Sequence, residues 1–284
     1  VNQSRPLLFG VLLIMAAGIL LATQDGGSRY LSGIYPLVMV IWARYLSQSL
    51  LMVLIFAPRM GLRILHTRRP WLQLARGVSL VAVSLLFIGG LHYIPQAEAT
   101  AVIFLAPLML TLYSALTGER IGRGQWISLA CSLIGVLVIV RPGGALFTPA
   151  VLLPFFAAIC FAAYQLITRR LSGTDHAVSS NFLSSLVGTL LLGLLLPWFW
   201  ETPSAPMALR MLGLGALAMV AHLLLTHALR NVSAAALAPF TYLNIVFAGL
   251  VGWLMFEQVP DLPAMLGMAI IIASGCGLAL ASRR

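Results

Sequence analysis

Residues 7–27 read LLFGVLLIMAAGILLATQDGG, a stretch of 21 residues whose one charged side chain, Asp25, stands near its far end. At about 1.5 Å per residue, a helix of that length crosses the roughly 30 Å of hydrocarbon in a bilayer. The run does not alternate polar and apolar residues as the strand of a membrane barrel would. Working outward, comparable runs broken by Pro, Gly and Arg follow it along the chain. The ten expected spans are Leu7–Gly27, Ile34–Phe56, Trp71–Leu91, Ala97–Leu116, Gln125–Val140, Ala150–Thr168, Val178–Phe199, Met207–Leu229, Ala234–Phe256 and Leu262–Ala281. Over all 284 residues 61% are hydrophobic and 8% charged, with mean hydropathy +1.00. Soluble domains carry about a quarter charged residues, so this chain cannot clothe a water-facing surface. The expected fold is an all-α integral membrane protein of ten transmembrane helices, with lipid as its solvent.

The formal charge of +10 is carried by arginine alone, 17 residues with no lysine. They lie between the apolar runs and not along one face, so nucleic acid is not the expected partner; anionic headgroups are. With the amino terminus in the cytoplasm, 13 arginines, Arg76 among them, fall on the inner side. Three (Arg29, Arg141 and Arg210) fall outside, and Arg44 lies within a span. Both termini are therefore expected inside, with the first span acting as its own insertion signal. Cys131, Cys160 and Cys276 all fall in spans without metal or disulfide spacing and read as small packing residues.

The chain also repeats itself. Arg29-Tyr30-Leu31-Ser32-Gly33 matches Arg169-Arg170-Leu171-Ser172-Gly173 at four of five positions, at an offset of 140 residues. The same offset pairs Val11-Leu12-Leu13 with Val151-Leu152-Leu153, Ala22 with Ala162 and Gly135 with Gly275, and Gly118-Glu119 finds an echo in Phe256-Glu257. Five spans per half is an odd number, so the second half enters the membrane from the opposite side. The expected units are residues 1–142 and an inverted copy, 143–284, joined near Gly143-Gly144. Inverted bundles can expose a shared site to one side and then the other, the architecture of many secondary carriers.

Leu105-Ala106-Pro107, Leu116-Thr117-Gly118-Glu119-Arg120, Gln125-Trp126, Gly135-Val136-Leu137 and Arg141-Pro142 follow one another in the first half. Leu237-Ala238-Pro239-Phe240, Phe247-Ala248, Gly252-Trp253, Glu257-Gln258-Val259-Pro260 and Gly267 follow in the second. In this order they resemble the two repeats of EamA-type drug/metabolite transporters over essentially the whole chain. The resemblance implies a ten-helix exporter of the bacterial inner membrane, similar to the aromatic amino acid exporters of that superfamily. The small multidrug members carry a Glu in their first helix; here the first span has none, and Asp25 stands near its outer end, a departure from the pattern of proton-coupled export of cationic drugs.

Ionisable side chains inside spans cost about 2.5–3.5 kcal/mol at mid-bilayer, so they mark structure or function. Asp25 and Arg44 stand at similar depth in consecutive spans: either they form an intramembrane ion pair, or one meets the charged end of a substrate. His222 is central in the eighth span, and reads either as a substrate, gate or proton group or as a packing histidine. Gln24 and Tyr164, which are repeat-equivalent, together with Ser79, Ser84, Tyr242 and Asn244, are the expected substrate-binding groups, with Tyr113 and Thr226 facing the same cavity. Pro107 is expected to break the fourth span. Ser128, Ser132 and Gly135 on the fifth span, and Ala273, Gly277 and Ala281 on the tenth, form small-residue faces that read as scaffold in a monomer or as the contact of a weak dimer. Trp71, Trp126, Trp198 and Trp200 read as interfacial anchors.

HExxH, GxSxG and P-loop motifs are absent from the sequence. The expectation is a secondary carrier, not an enzyme, with neither cofactor nor metal, exporting amino acids (aromatic or other neutral ones) and similar small metabolites by alternating access. The alternative cargo is another metabolite such as S-adenosylmethionine, or a drug; a channel and an intramembrane enzyme rank last.

Overall fold

The computed structural model describes residues 4–117, 122–141, 147–171, 173–232, 237 and 240–281. Gly118-Glu119-Arg120, Gly143-Gly144, Ser172, Ala238-Pro239 and the last three residues lie outside this set, as do the side chains of Gln125 and Ala281. Eleven helices carry the described chain: α1 (Ser4–Ser32), α2 (Leu37–Met60), α3 (Pro70–Gly90), α4 (Gln96–Ile103), α5 (Ala106–Leu116), α6 (Arg123–Val140), α7 (Leu152–Leu171), α8 (Ala177–Phe199), α9 (Ala205–Asn231), α10 (Leu243–Phe256) and α11 (Leu262–Ala281). Among the described residues, six helices are long and apolar enough to cross a membrane, and shorter apolar helical stretches cover Gln96–Leu110, Trp126–Val140, Leu243–Phe256 and Leu262–Gly277.

Boundaries moved where packing outweighed local preference. α1 runs on through Gly26-Gly27 to Ser32, so Arg29 is helical and not in a loop. The fourth span is broken between α4 and α5. Pro107 has no N–H to donate, and its ring collides with the carbonyl four residues back, that of Ile103, where α4 stops. The ninth span also has a turn, at Tyr242. The rings of Phe104 and Tyr242, at these two interruptions, pack 5.0 Å apart at 30°.

The halves are interlocked. α3 of the first half packs on α7 and α8 of the second, and α9 of the second packs on α1 and α2 of the first. α2 meets α8, α4 meets α10, and α6 meets α11. Exchanging first-half helices for their counterparts maps this pattern onto itself. At α6–α11, Ser128 and Ser132 bond with Ser274, and the backbones close on each other where a Cβ on Gly267 would stand 2.5 Å from the Gly135 carbonyl. Ser128, Ser132 and Gly135 therefore act as scaffold. On α11 the packing stripe is Gly267, Ile271 and Ser274; the expected Ala273 and Gly277 are instead exposed along an open groove.

Helix ends sort onto two faces. On one, Asp175 between α7 and α8 accepts from the Thr67 hydroxyl at 2.5 Å, the Gln73 amide at 2.8 Å and the Arg68 N–H at 3.1 Å. There too Ser179 donates to the Arg63 carbonyl, and Arg170 to the Tyr113 hydroxyl. On the other face, Arg29 bonds Gln258 at 2.6 Å and lies 4.0 Å over the Phe256 ring. Glu257, in the left-handed region at φ 55°, ends α10 and turns Gln258 toward Arg29. Arg141 pairs with Asp261, which also accepts the Ala264 N–H at the start of α11. The ends of α5 and α10 thus lie on opposite faces. Trp71, Trp126, Trp198 and Trp200 are all exposed at helix ends.

Partial burial works to raise the Asp175 pKa, but its donors, led by Thr67 and then Gln73, hold the carboxyl below the ordinary carboxylate range. A depressed folded-state value means that its contribution is complete above the unfolded value, about 4, and is lost as pH falls through the folded one. In melts in detergent, Asp175→Asn is expected to lower the Tm above about pH 5 and to converge with the parent protein in more acid solution. A deficit that persists unchanged in acid would contradict this.

Candidate functional site

The segment QLARGVS lies in the first half of α3, and Gln73 and Arg76, three residues apart, share one helix face. Both are buried, Arg76 to 3% exposure. Arg76 stands six residues past the start of α3, so its guanidinium has no route to water without partners. The second half supplies them. Nε donates to Thr168 at 2.8 Å; Nη1 to the Ser180 carbonyl and the Ser184 hydroxyl, both at 2.6 Å; Nη2 to the Tyr164 hydroxyl at 2.7 Å and to Asn181 Oδ1 at 3.2 Å. The cation also lies 4.7 Å over the Tyr164 ring. Spacing explains the cluster: Tyr164 and Thr168 lie one turn apart on α7, as do Ser180 and Ser184 on α8. Gln73 extends it by donating to Ser180 Oγ at 2.8 Å. Every acceptor is neutral. Among the described residues the one ion pair within 4.0 Å is Arg141–Asp261, so no carboxylate touches Arg76.

A second polar group lies toward the other face. Arg44, buried on α2, donates to Ser84 Oγ at 2.5 Å and lies 5.1 Å from the Tyr45 ring. Tyr45 donates to the Leu80 carbonyl and shares a 2.8 Å hydrogen bond with Ser84. Asp25, half-buried on α1, accepts from the neighbouring Gln24 amide at 3.2 Å. The expected Asp25–Arg44 ion pair is therefore not a contact: Ser84 takes the guanidinium, and Asp25 feels the Arg44 charge only from beyond salt-bridge distance. Ser84 satisfies Arg44 from α3, the neighbouring helix, and that placement is invisible in a one-dimensional reading.

His222 is half-buried on α9, within electrostatic range of both Arg76 and Arg44. Its carbonyl accepts from Thr226 one turn on. Gln24, Asp25, Arg44, Ser84, Tyr164 and His222 thus belong to the polar interior with Arg76, and Ser79 is half-buried on α3 nearby. The remaining two expected residues are on α10 or the turn before it. Tyr242 is packed against Phe104 and against Gly275 of α11. Asn244 faces Gly18 of α1 with its Oδ1 buried and unpartnered. Tyr113, expected toward the cavity, holds Arg170 at the arginine-rich face instead.

Sequence reasoning missed two groups. Arg76 reads as one more topology arginine, although its distance from the helix start, roughly 9 Å at the helical rise, already puts it below a headgroup layer. Glu98 in the first turn of α4 is 4% exposed with Oε2 unpartnered. It sits one residue inside the edge of the expected span Ala97–Leu116.

Residues 8–141, and separately 148–280, match the EamA-like transporter family. The chain is similar to the riboflavin transporter of Rhizobium johnstonii, 30% identical over 279 residues that cover 96% of this chain and 91% of that one. It is 27% identical to the S-adenosylmethionine uptake transporter of Rickettsia prowazekii over 264 residues, 93% and 90% of the two chains. The pseudopaline exporter of Pseudomonas aeruginosa is 27% identical over 271 residues, 93% and 94%. A solved crystal structure at 20% identity superposes over the full length of both chains with a TM-score of 0.67 and shares the fold.

Proposed function

Because this chain belongs to the EamA-like transporter family, we propose that it is a secondary carrier that moves amino acids and similar small metabolites across the bacterial inner membrane by alternating access. Its arginine-rich face, with both termini, lies in the cytoplasm, and export is the working direction. Residues 1–142 and 143–284 are its two inverted halves, and it works as a monomer or weak dimer. The observation that carries this reading is the crossed packing of α3 on α7–α8 and of α9 on α1–α2. Each contact seals one face, and a polar interior lined by both halves lies between them. Loosening one contact while the other stays closed would open that interior to a single side. Gln24, Asp25, Arg44, Ser84, Tyr164 and His222, with Ser79, line the solute's path.

Reconstitution tests it. Proteoliposomes loaded with radiolabelled amino acids are expected to show saturable flux and counterflow. Flux that rises linearly without saturation would indicate a channel. The relatives named for riboflavin and for S-adenosylmethionine uptake make those two solutes the comparison set; saturation by either, with no amino acid carried, would move the cargo and leave the mechanism.

A further inference from the structure

The two crossed contacts are chemically unlike. Around α9, Met39, Val40 and Ala43 of α2 and Leu31 of α1 pack on Met211 and Leu214, a mainly apolar seam that the Ser47 hydroxyl crosses to donate to the Leu212 carbonyl. Around α3 the seam is polar and is centred on a buried cation whose nearest partners are all uncharged. Burying a guanidinium without an anion is costly, and neutral acceptors meet that cost less well than a carboxylate does. A guanidinium fork is also shaped for two parallel bonds to a carboxylate. Tyr164 (stacked on Phe161), Thr168 and Asn181 are half-buried, whereas Ser180 and Ser184 are buried, so the cluster is more open on the Nη2 and Nε side of the guanidinium than at Nη1.

We infer that Arg76 is where the carrier reads a carboxylate on its solute: the anion displaces the acceptors offered by α7 and α8, and in doing so loosens α3 from the second half. This rests on the carrier reading above and adds the class of group recognised and the residue that recognises it. In the present arrangement all five N–H groups are engaged by protein, which is the closed, solute-free form of the seam. The solute therefore competes directly with the contact that holds the arginine-rich face shut.

The test compares each proteinogenic amino acid with its matching carboxamide, together with benzoate and succinate. Melting of the purified protein in detergent at constant ionic strength reads binding, and competition for uptake in proteoliposomes reads transport. The parent protein is expected to prefer acids over amides by about tenfold. Arg76→Gln is expected to erase that preference and Arg76→Lys to keep part of it. Ser184→Ala removes one acceptor from Nη1 and is expected to strengthen acid binding by about threefold with the amides unchanged, the opposite of what a merely structural bond would give. Equal binding of acids and amides by the parent protein overturns the proposal. So does weakening of acids by Ser184→Ala, equal loss of acids and amides in Arg76→Gln, or absence of any acid-specific shift across the panel. Acid-specific stabilisation without saturable uptake would leave this proposal standing and overturn the carrier reading alone.

Discussion

Gly215→Ala is expected to destabilise the protein by about 3 kcal/mol, whereas Gly213→Ala, two residues earlier on the same helix, should stabilise it by about 0.5–1 kcal/mol. The intrinsic helical effect is the same at both positions, so the opposite signs come from the surroundings. Gly213 has nothing within 4 Å of a built Cβ. At Gly215 that atom would stand 2.5 Å from the Arg44 carbonyl oxygen and from Ser47 Cβ, and 2.8 Å from the Gln48 N. Two of those three atoms are backbone, which cannot rotate away. α9 would have to retreat from α2, breaking the 2.6 Å bond from Ser47 to the Leu212 carbonyl and displacing the turn that carries Arg44. Melting or denaturant titration in detergent reads both variants. Equal shifts for the two would show that α2 and α9 do not meet this closely.

Arg76→Met is expected to cost about 3 kcal/mol and to abolish saturable transport. Methionine fills much of the volume but leaves the Tyr164, Thr168, Asn181 and Ser184 oxygens facing a side chain that donates nothing. The Ser180 carbonyl lies within α8, where a helical N–H can satisfy it, and Thr168 goes on donating to the Tyr164 carbonyl, so the loss falls on the side-chain acceptors. Lysine restores the charge with three donors on a point-like head and is expected to recover stability only in part. If the methionine variant melts at the parent temperature, the desolvation cost of the buried cation equals everything its five bonds return, and Arg76 is not what joins the halves.

Much of this was legible beforehand, and the failures share one cause. The apolar spans follow from hydropathy, and Pro107 announces the break of the fourth span because a missing N–H is a local fact. On α11 the helix–helix contact falls on Gly267, Ile271 and Ser274 and not on the scaffold face expected at Ala273 and Gly277. A helix apolar on every side has no stripe to read, since lipid and protein interior reward the same side chains. The Asp25–Arg44 pairing was a reasonable inference from depth, but depth gives no azimuth, and Ser84 of the neighbouring helix stood closer. Tyr242 carried the right chemistry for a substrate group and packs on Phe104 instead.

The sequence by itself determined what must be satisfied within each segment: apolar spans, because the bilayer leaves backbone groups no partner outside the helix. Only the tertiary structure decided that α3 and α9 are exchanged between the halves and that Arg76 sits inside one of the seams this creates. A guanidinium six residues into a helix can end at a headgroup or among the hydroxyls of α7 and α8. That choice depends on which helices come to lie beside it, residues about 90 to 110 positions further along the chain whose arrival no local pattern announces.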